Sequence, residues 1–255
     1  MNLIRHMDKL EKEFKAYHNI EFLDSPQARP IRIISEYSYP EKVFTEEKVD
    51  KVIVFFGSAR IQPLDSPNLT PIQKEMAQYY EDARALAYKI TNWTKTLQEN
   101  EAFMLCSGGG PGIMEAANRG AYEAGGRSIG LNISLPFEQN PNPYITPEFN
   151  FEFHYFFMRK FWFANLLEAI VVFPGGFGTF DEFFEVLTLI QTEKMIKKRP
   201  IVLYGANFWN KVVNLDYLAE VGMISPDDLD LFKIVSSVEE AYEYIITELT
   251  ETHKL

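Results

Sequence analysis

From residue 51 onward, short apolar runs alternate with longer stretches in which apolar residues recur at helical spacing. The first run, residues 52–56 (VIVFF), ends at Gly57 and Ser58. Further runs cover 102–106, 128–133, 169–173, 200–204 and 231–235, and each is read as a strand. Thr70 and Pro71 supply an N-cap and a favourable first residue for a helix running toward Leu97. A second helix follows from residue 113 and stops at Gly125 and Gly126. An aromatic segment carrying Met158, Arg159 and Lys160 gives a third. A fourth starts at Thr179, with Phe180, Phe183, Phe184, Leu187 and Ile190 on one face. Helices near 208–219 and over 238–249 complete the series. This alternation predicts an α/β fold, a mainly parallel sheet with helices on both faces.

Residues 1–50 break the pattern. A charged segment predicted to be helical to Tyr17 precedes DSPQARP, a β-rich piece IRIIS at 31–35 and the polar EEKVDK. These residues are expected to form an N-terminal extension packed on a core domain of residues 51–255, a partner-binding arm being the alternative. The proline-rich stretch 136–147 is expected to be a lid or a pocket wall.

Composition narrows the functional classes. The 255 residues, 46% hydrophobic, suffice for one large core. A net charge of −11 argues against a nucleic-acid polymer as partner, although a local pocket can still hold a small anion. The lone Cys106 fits a reducing compartment and is expected to pack as a small apolar residue. No apolar stretch reaches bilayer length and the opening residues lack signal-peptide features, so a cytoplasmic protein with no membrane contact is expected. Histidines stand only at 6, 18, 154 and 253, with no ligand-like spacing, and neither a metal nor a cofactor is expected. His154, alone in an aromatic segment, is read as a packed residue outside any site.

Two strand-to-helix junctions are glycine-rich: SGGGPG at 107–112 and PGGFGT at 174–179. In an open parallel sheet such junctions sit where ligands bind, and glycines let the backbone approach an oxyanion at a helix amino terminus. One such loop is as consistent with a tight turn as with a phosphate; two favour a nucleotide. Neither matches GxxxxGK[ST] or a full dinucleotide fingerprint, so a mononucleotide fits better. Thr179 and Glu182 have two readings. Thr-x-x-Glu is a capping box; alternatively, Glu182 faces the ribose of a phosphate-anchored nucleotide, orients water and offsets the cation that grows on the sugar. Asp181 is read as a solvated acid of the first turn. Arg159 and Lys160 are either surface cations with apolar stems or a clamp for phosphate and sugar oxygens.

Met158-Arg159-Lys160, followed fifteen residues after Arg159 by PGGFGTFDE, resembles the Lonely Guy (LOG) family, and SGGGPGIMEAAN is similar to the glycine loop of its longer members. The likeness covers residues 51–249. It implies a Rossmann-like, doubly wound fold, commonly dimeric, that cleaves the N-glycosidic bond of nucleoside 5′-monophosphates such as AMP or cytokinin riboside 5′-monophosphate. The products are a free base and ribose 5-phosphate. By that resemblance Arg159 and Glu182 are the catalytic pair, and Met158 and Lys160 bind the substrate beside them. Gly175, Gly176, Gly178 and Thr179 form the phosphate turn, Gly109 and Gly110 the opposite wall, and Gly57 and Ser58 approach the base. Such proteins often carry the label lysine decarboxylase, but nothing resembling a Ser-x-His-Lys cofactor setting occurs; the one His-Lys pair is His253-Lys254. A non-catalytic nucleotide sensor is the alternative from another class.

Overall fold

The computed structural model describes residues 15–136, 140–195 and 199–255. The expected opening helix falls mostly on residues 1–14, outside the described residues. In chain order the elements are α1 (Ile20–Asp24), α2 (Arg29–Glu46), β1 (Val52–Phe56), α3 (Pro71–Thr94), β2 (Met104–Ser107), α4 (Ile113–Glu123) and β3 (Ser128–Ile133). After the proline-rich segment come β4 (Asn150–Phe153), α5 (Phe156–Leu166), β5 (Leu167–Val172), α6 (Phe177–Gln191) and β6 (Ile201–Tyr204). Then follow α7 (Ala206–Val212), α8 (Leu215–Glu220), β7 (Lys233–Val235) and α9 (Val238–His253).

Among the described residues the strands form one sheet in the order β4-β3-β2-β1-β5-β6-β7, every pairing parallel. Strand periodicity divides the core in two. Ile53 and Phe55 of β1 face a layer with Tyr80, Ala83 and Ala87 of α3, Ala116 and Ala117 of α4, and Ile245 of α9. Val52, Val54 and Phe56 face the other layer, with Phe44 of α2, Trp162 and Phe163 of α5, and Phe183 of α6. All five β1 side chains are buried, each of the larger ones worth about 1.5–3 kcal/mol on removal from water. Small residues bring α3 and α4 together: a Cβ on Gly120 would sit 2.2 Å from the carbonyl oxygen of Arg84.

Four sequence expectations are corrected here. IRIIS is not β-structure but part of α2, which opens with Pro30 in its first turn, leaves Ile31 and Ile34 exposed and turns Ile33 and Phe44 inward. The aromatic run before Arg159 contains an edge strand, β4, in which Phe151 and Phe153 are buried while Asn150 and Glu152 face solvent. The helix near 208–219 is two helices, because Asn214 interrupts it and caps α8 through Tyr217 N. The strand expected at 231–235 keeps only its last three residues, behind a 3₁₀ turn at Pro226–Leu231. Cys106 is buried in the core, and no helix among the described residues is long and apolar enough to cross a membrane.

The segment before β1 is tied to α5. The Phe44 ring lies 5.3 Å from that of Trp162 and 5.1 Å from that of Phe151. Trp162 Nε1 donates to the Glu36 carbonyl oxygen at 3.0 Å.

Candidate active site

The chain winds outward from β1 to β4 and then returns to β5 on the other side of β1, so the connections after β1 and β5 diverge. Such a switch point leaves a crevice beyond the carboxyl ends of the strands. A cavity of about 890 Å³ opens there, lined by the ends of β1, β2, β3 and β5 and by parts of α5, α6 and α7.

Glycines allow three junctions to meet. A Cβ on Gly57 would sit 2.6 Å from Ile113 Cγ2, and one on Gly108 would sit 2.4 Å from Arg159 Nη2. Ser58 then ties its neighbours: its N–H donates to the Pro174 carbonyl (3.0 Å) and its carbonyl accepts from Ile113 N (3.1 Å). Asn142, buried in the proline-rich segment, donates through Nδ2 to the carbonyls of Gly109 (3.0 Å) and Gly110 (3.2 Å). The described part of residues 136–147 is therefore a strut beneath the glycine loop; none of its residues lines the cavity.

The turn 174–179 feeds α6, whose N-cap Gly176 offers no side chain. The first intrahelical bond runs from Phe180 N to Gly176 O (3.1 Å), leaving the amides of Phe177, Gly178 and Thr179 without helical partners. Nothing lies within 4 Å of where a Cβ would stand on Gly176 or Gly178, so the backbone is approachable from the cavity. With three amides and the positive end of a 15-residue helix, this turn is suited to an anion.

Because α6 begins at Phe177, Thr179 is its third residue and the Thr179–Glu182 capping box does not form. The Glu182 carboxyl turns instead to Arg159: Oε1 lies 3.4 Å from Nη1. Arg159, only 8% exposed, also donates through Nε to the Leu131 carbonyl (2.7 Å) and approaches the Gly108 carbonyl through Nη2 (3.4 Å). Its guanidinium carbon stands 5.2 Å from the centre of the Phe163 ring. Burial pulls the Arg159 pKa down, and Glu182 resists this. Burial pushes the Glu182 carboxyl up to about 7, with Asp181 and Glu185 adding to the rise while Arg159 and Lys160 oppose it. A carboxyl poised near neutrality beside a fixed cation can take or give a proton at physiological pH.

Of the residues nominated by the sequence, Gly57, Ser58, Gly110, Arg159, Gly175, Gly176, Gly178, Thr179 and Glu182 line this one cavity. Gly109, Met158 and Lys160 do not. Gly109 adopts φ +73° against Asn132, and Met158 packs into the core. Lys160 Nζ bonds Asp181 at 2.6 Å and Glu185 at 3.3 Å, so Asp181 is a paired acid rather than merely a solvated one. Consecutive helical residues diverge by about 100°, which separates Arg159 from Lys160. His154 is exposed rather than packed. Arg60, Gly108, Asn132, Phe177 and Phe208 are among the further lining residues, none of them nominated. Gly108 adjoins the nominated Gly109, Arg60 stands two residues after Ser58, and Phe177 stands inside the PGGFGT turn, 96% exposed; Asn132 and Phe208 carried no local signal.

Residues 114–245, a little over half of the chain, match the family model described as possible lysine decarboxylase. The chain is 26% identical over 161 residues to the probable cytokinin riboside 5′-monophosphate phosphoribohydrolase LOG4 of Oryza sativa subsp. japonica, an alignment covering 62% of this chain and 66% of that protein. It is 28% identical over 135 residues to the probable cytokinin riboside 5′-monophosphate phosphoribohydrolase LOGL3 of the same plant, covering 48% of this chain and 58% of that protein. The chain thus spans less than two thirds of the length of either relative. Among solved structures, the molybdenum cofactor binding protein of Rippkaea orientalis aligns at 18% identity and a TM-score of 0.49, covering 77% of this chain and 96% of that one. Matched by that model across the 174–179 turn, α5, α6 and strands β3 to β7, the chain belongs to the possible lysine decarboxylase family, the family of the Lonely Guy proteins.

Proposed function

We propose that the protein hydrolyses the N-glycosidic bond of purine nucleoside 5′-monophosphates, AMP or cytokinin riboside 5′-monophosphate, to free base and ribose 5-phosphate. The observation that carries this reading is the buried Arg159–Glu182 pair on the wall of a cavity that also holds the open amino terminus of α6. The names of the two plant relatives point to the same chemistry.

In this reading the 5′-phosphate rests on the amides of residues 177–179 and on the Thr179 hydroxyl, which brings the ribose alongside Glu182. The ionised Glu182 takes a proton from a water molecule as that water bonds to C1′. The C1′–N bond breaks with its electron pair passing to the base, which picks up a proton on departure. Positive charge spread over C1′ and the ring oxygen in the transition state is offset by the carboxylate. Arg159 holds phosphate or sugar oxygens with its planar fork, pre-set by its bond to the Leu131 carbonyl.

The family description suggests a different reaction, amino-acid decarboxylation on pyridoxal phosphate, and the residues present do not fit that group. A Schiff base needs a lysine in the cavity. The described lining has none, and Lys160, the nearest in sequence to Arg159, is committed to Asp181 and Glu185.

The proposal extends to a homodimer working in the cytoplasm, with Phe156, Phe157 and Phe161 of α5, each more than a third exposed, as apolar surface for self-association. A panel of nucleoside 5′-monophosphates incubated with the protein, with released base and ribose 5-phosphate quantified, tests the reaction. Equimolar products from a purine monophosphate are expected, and absence of base from every member of the panel contradicts the proposal.

A further inference from the structure

Arg159 acts from α5, and α5 is joined to β4 by two residues alone, His154 and Tyr155. No side chain from within α5 or its own junction caps this helix, and its N-cap residue is Tyr155. The amides of the junction are met from outside. Glu36, in the middle of α2, accepts from His154 N through Oε1 at 2.8 Å and from Tyr155 N through Oε2 at 3.2 Å. A carboxylate there satisfies two orphan donors and stands at the positive end of the α5 dipole. The backbone carbonyl of the same residue accepts from Trp162 Nε1, about two turns further along α5. The adjacent Tyr37 ring lies 5.5 Å from Phe161 and 5.7 Å from Trp162. One stretch of α2 therefore grips α5 on both sides of Arg159, whose own N–H closes the first helical turn on the Tyr155 carbonyl at 3.2 Å.

We propose that Glu36, outside the residues matched by the family model, is a positioning residue: it locks the β4–α5 junction and thereby sets the Arg159 guanidinium in the cavity opposite Glu182. The 3.4 Å separation of that pair leaves little tolerance, since a shift of α5 by about 1 Å moves it beyond direct contact. Misplacement on that scale can cost about 100-fold in rate. The inference rests on the proposed hydrolysis only for its kinetic consequence; the structural consequence stands apart from it.

The test uses the full-length protein with Glu36→Ala and Glu36→Gln. Lys42→Ala serves as a control on the same helix, its ion pair being with the exposed Glu46. Three quantities are read: amide hydrogen exchange at residues 154 and 155, titration of the Glu182 carboxyl by infrared difference spectroscopy, and kcat and KM for AMP. Burial does most to raise the Glu182 titration, and Arg159 and Lys160 of α5 and Asp181 and Glu185 of α6 face it, so a retreat of α5 changes both its solvation and its cation partners. Glu36→Ala is expected to lose protection at the junction, shift the pH at which Glu182 titrates and lower kcat about 10- to 100-fold, with a smaller change in KM. Glu36→Gln, which keeps one acceptor oxygen, is expected to recover part of each, and Lys42→Ala to match the wild type. If Glu36→Ala does not fold, the partial shifts in Glu36→Gln decide. A Glu182 titration unmoved in every folded Glu36 variant, whatever their melting temperatures, overturns the proposal and reduces Glu36 to an anchor for the amino-terminal segment. A wild type that releases no base removes the hydrolytic reading, while the exchange and infrared measurements still decide this one.

Discussion

The Arg159 guanidinium and the Glu182 carboxyl meet at 3.4 Å although they belong to different helices, and their side chains are only 10% and 15% exposed. A pair so far removed from water is sensitive to every change around it, because burial penalises each charged form separately. This sensitivity makes the pair testable through stability as well as through turnover.

Stability should depend on pH through Glu182. Its folded carboxyl titrates near 7 against an ordinary value of 4.5, so the folded state holds this proton more tightly than the unfolded state. Below pH 4.5 both states are protonated and the contribution is fully present. As pH climbs from 4.5 to about 7 the unfolded chain ionises first and stability falls; above that both are ionised and the loss is complete. The total is on the order of 3 kcal/mol. Urea midpoints of wild type and Glu182→Gln, which cannot ionise, should coincide at pH 4 and separate by pH 8 with the variant more stable; parallel curves would contradict the assignment.

Gly178→Ala should divide folding from binding. No atom lies within 4 Å of the added Cβ, and alanine is favoured over glycine inside a helix, so the melting temperature should hold or rise slightly. The methyl group would nevertheless crowd an anion on the amides of residues 177–179, and KM for AMP should increase about 10-fold. Gly175→Ala should behave oppositely, since its Cβ would come 2.1 Å from Thr179 Oγ1, and lose about 1–3 kcal/mol of stability. Thermal melts and steady-state kinetics on the two variants distinguish these outcomes.

Arg159→Lys keeps the charge and discards the planar fork that now reaches Leu131, Gly108 and Glu182 together. A fall in kcat/KM of about 100- to 1000-fold is expected, by analogy with removing one donor from a preorganised site. Near-normal kinetics in this variant would show that only the charge is used.

The alternation of apolar runs with helical stretches made the parallel sheet legible, because strands such as β1 are buried on both faces and have no polar positions to blur the signal. The two glycine loops were legible for a related reason: close approaches such as Gly57 to Ile113 exclude any side chain. IRIIS misled because three isoleucines and a serine satisfy a strand as readily as one turn of α2, and only contacts made by residues further along, such as Phe44, settle the period. The strand β4 was hidden in an aromatic run whose solvent-facing positions are few. Thr179 and Glu182 fit a capping pattern by type; the helix start at Phe177, set by the turn before it, decided against it. Arg159 and Lys160 are adjacent in sequence, yet one faces the cavity and the other the acids of α6, a distinction that depends on how α5 is rotated. The grip of Glu36 on α5, more than a hundred residues away, leaves no local trace at all.

If Glu182 activates water against a nucleotide held on the α6 turn, Glu182→Gln abolishes turnover and spares binding. Wild type and variant are each incubated with AMP at pH 8, with free adenine measured by chromatography and AMP binding measured by calorimetry. Adenine is expected from the wild type alone, with AMP still bound by the variant. Adenine released by the variant at the wild-type rate contradicts this role for Glu182.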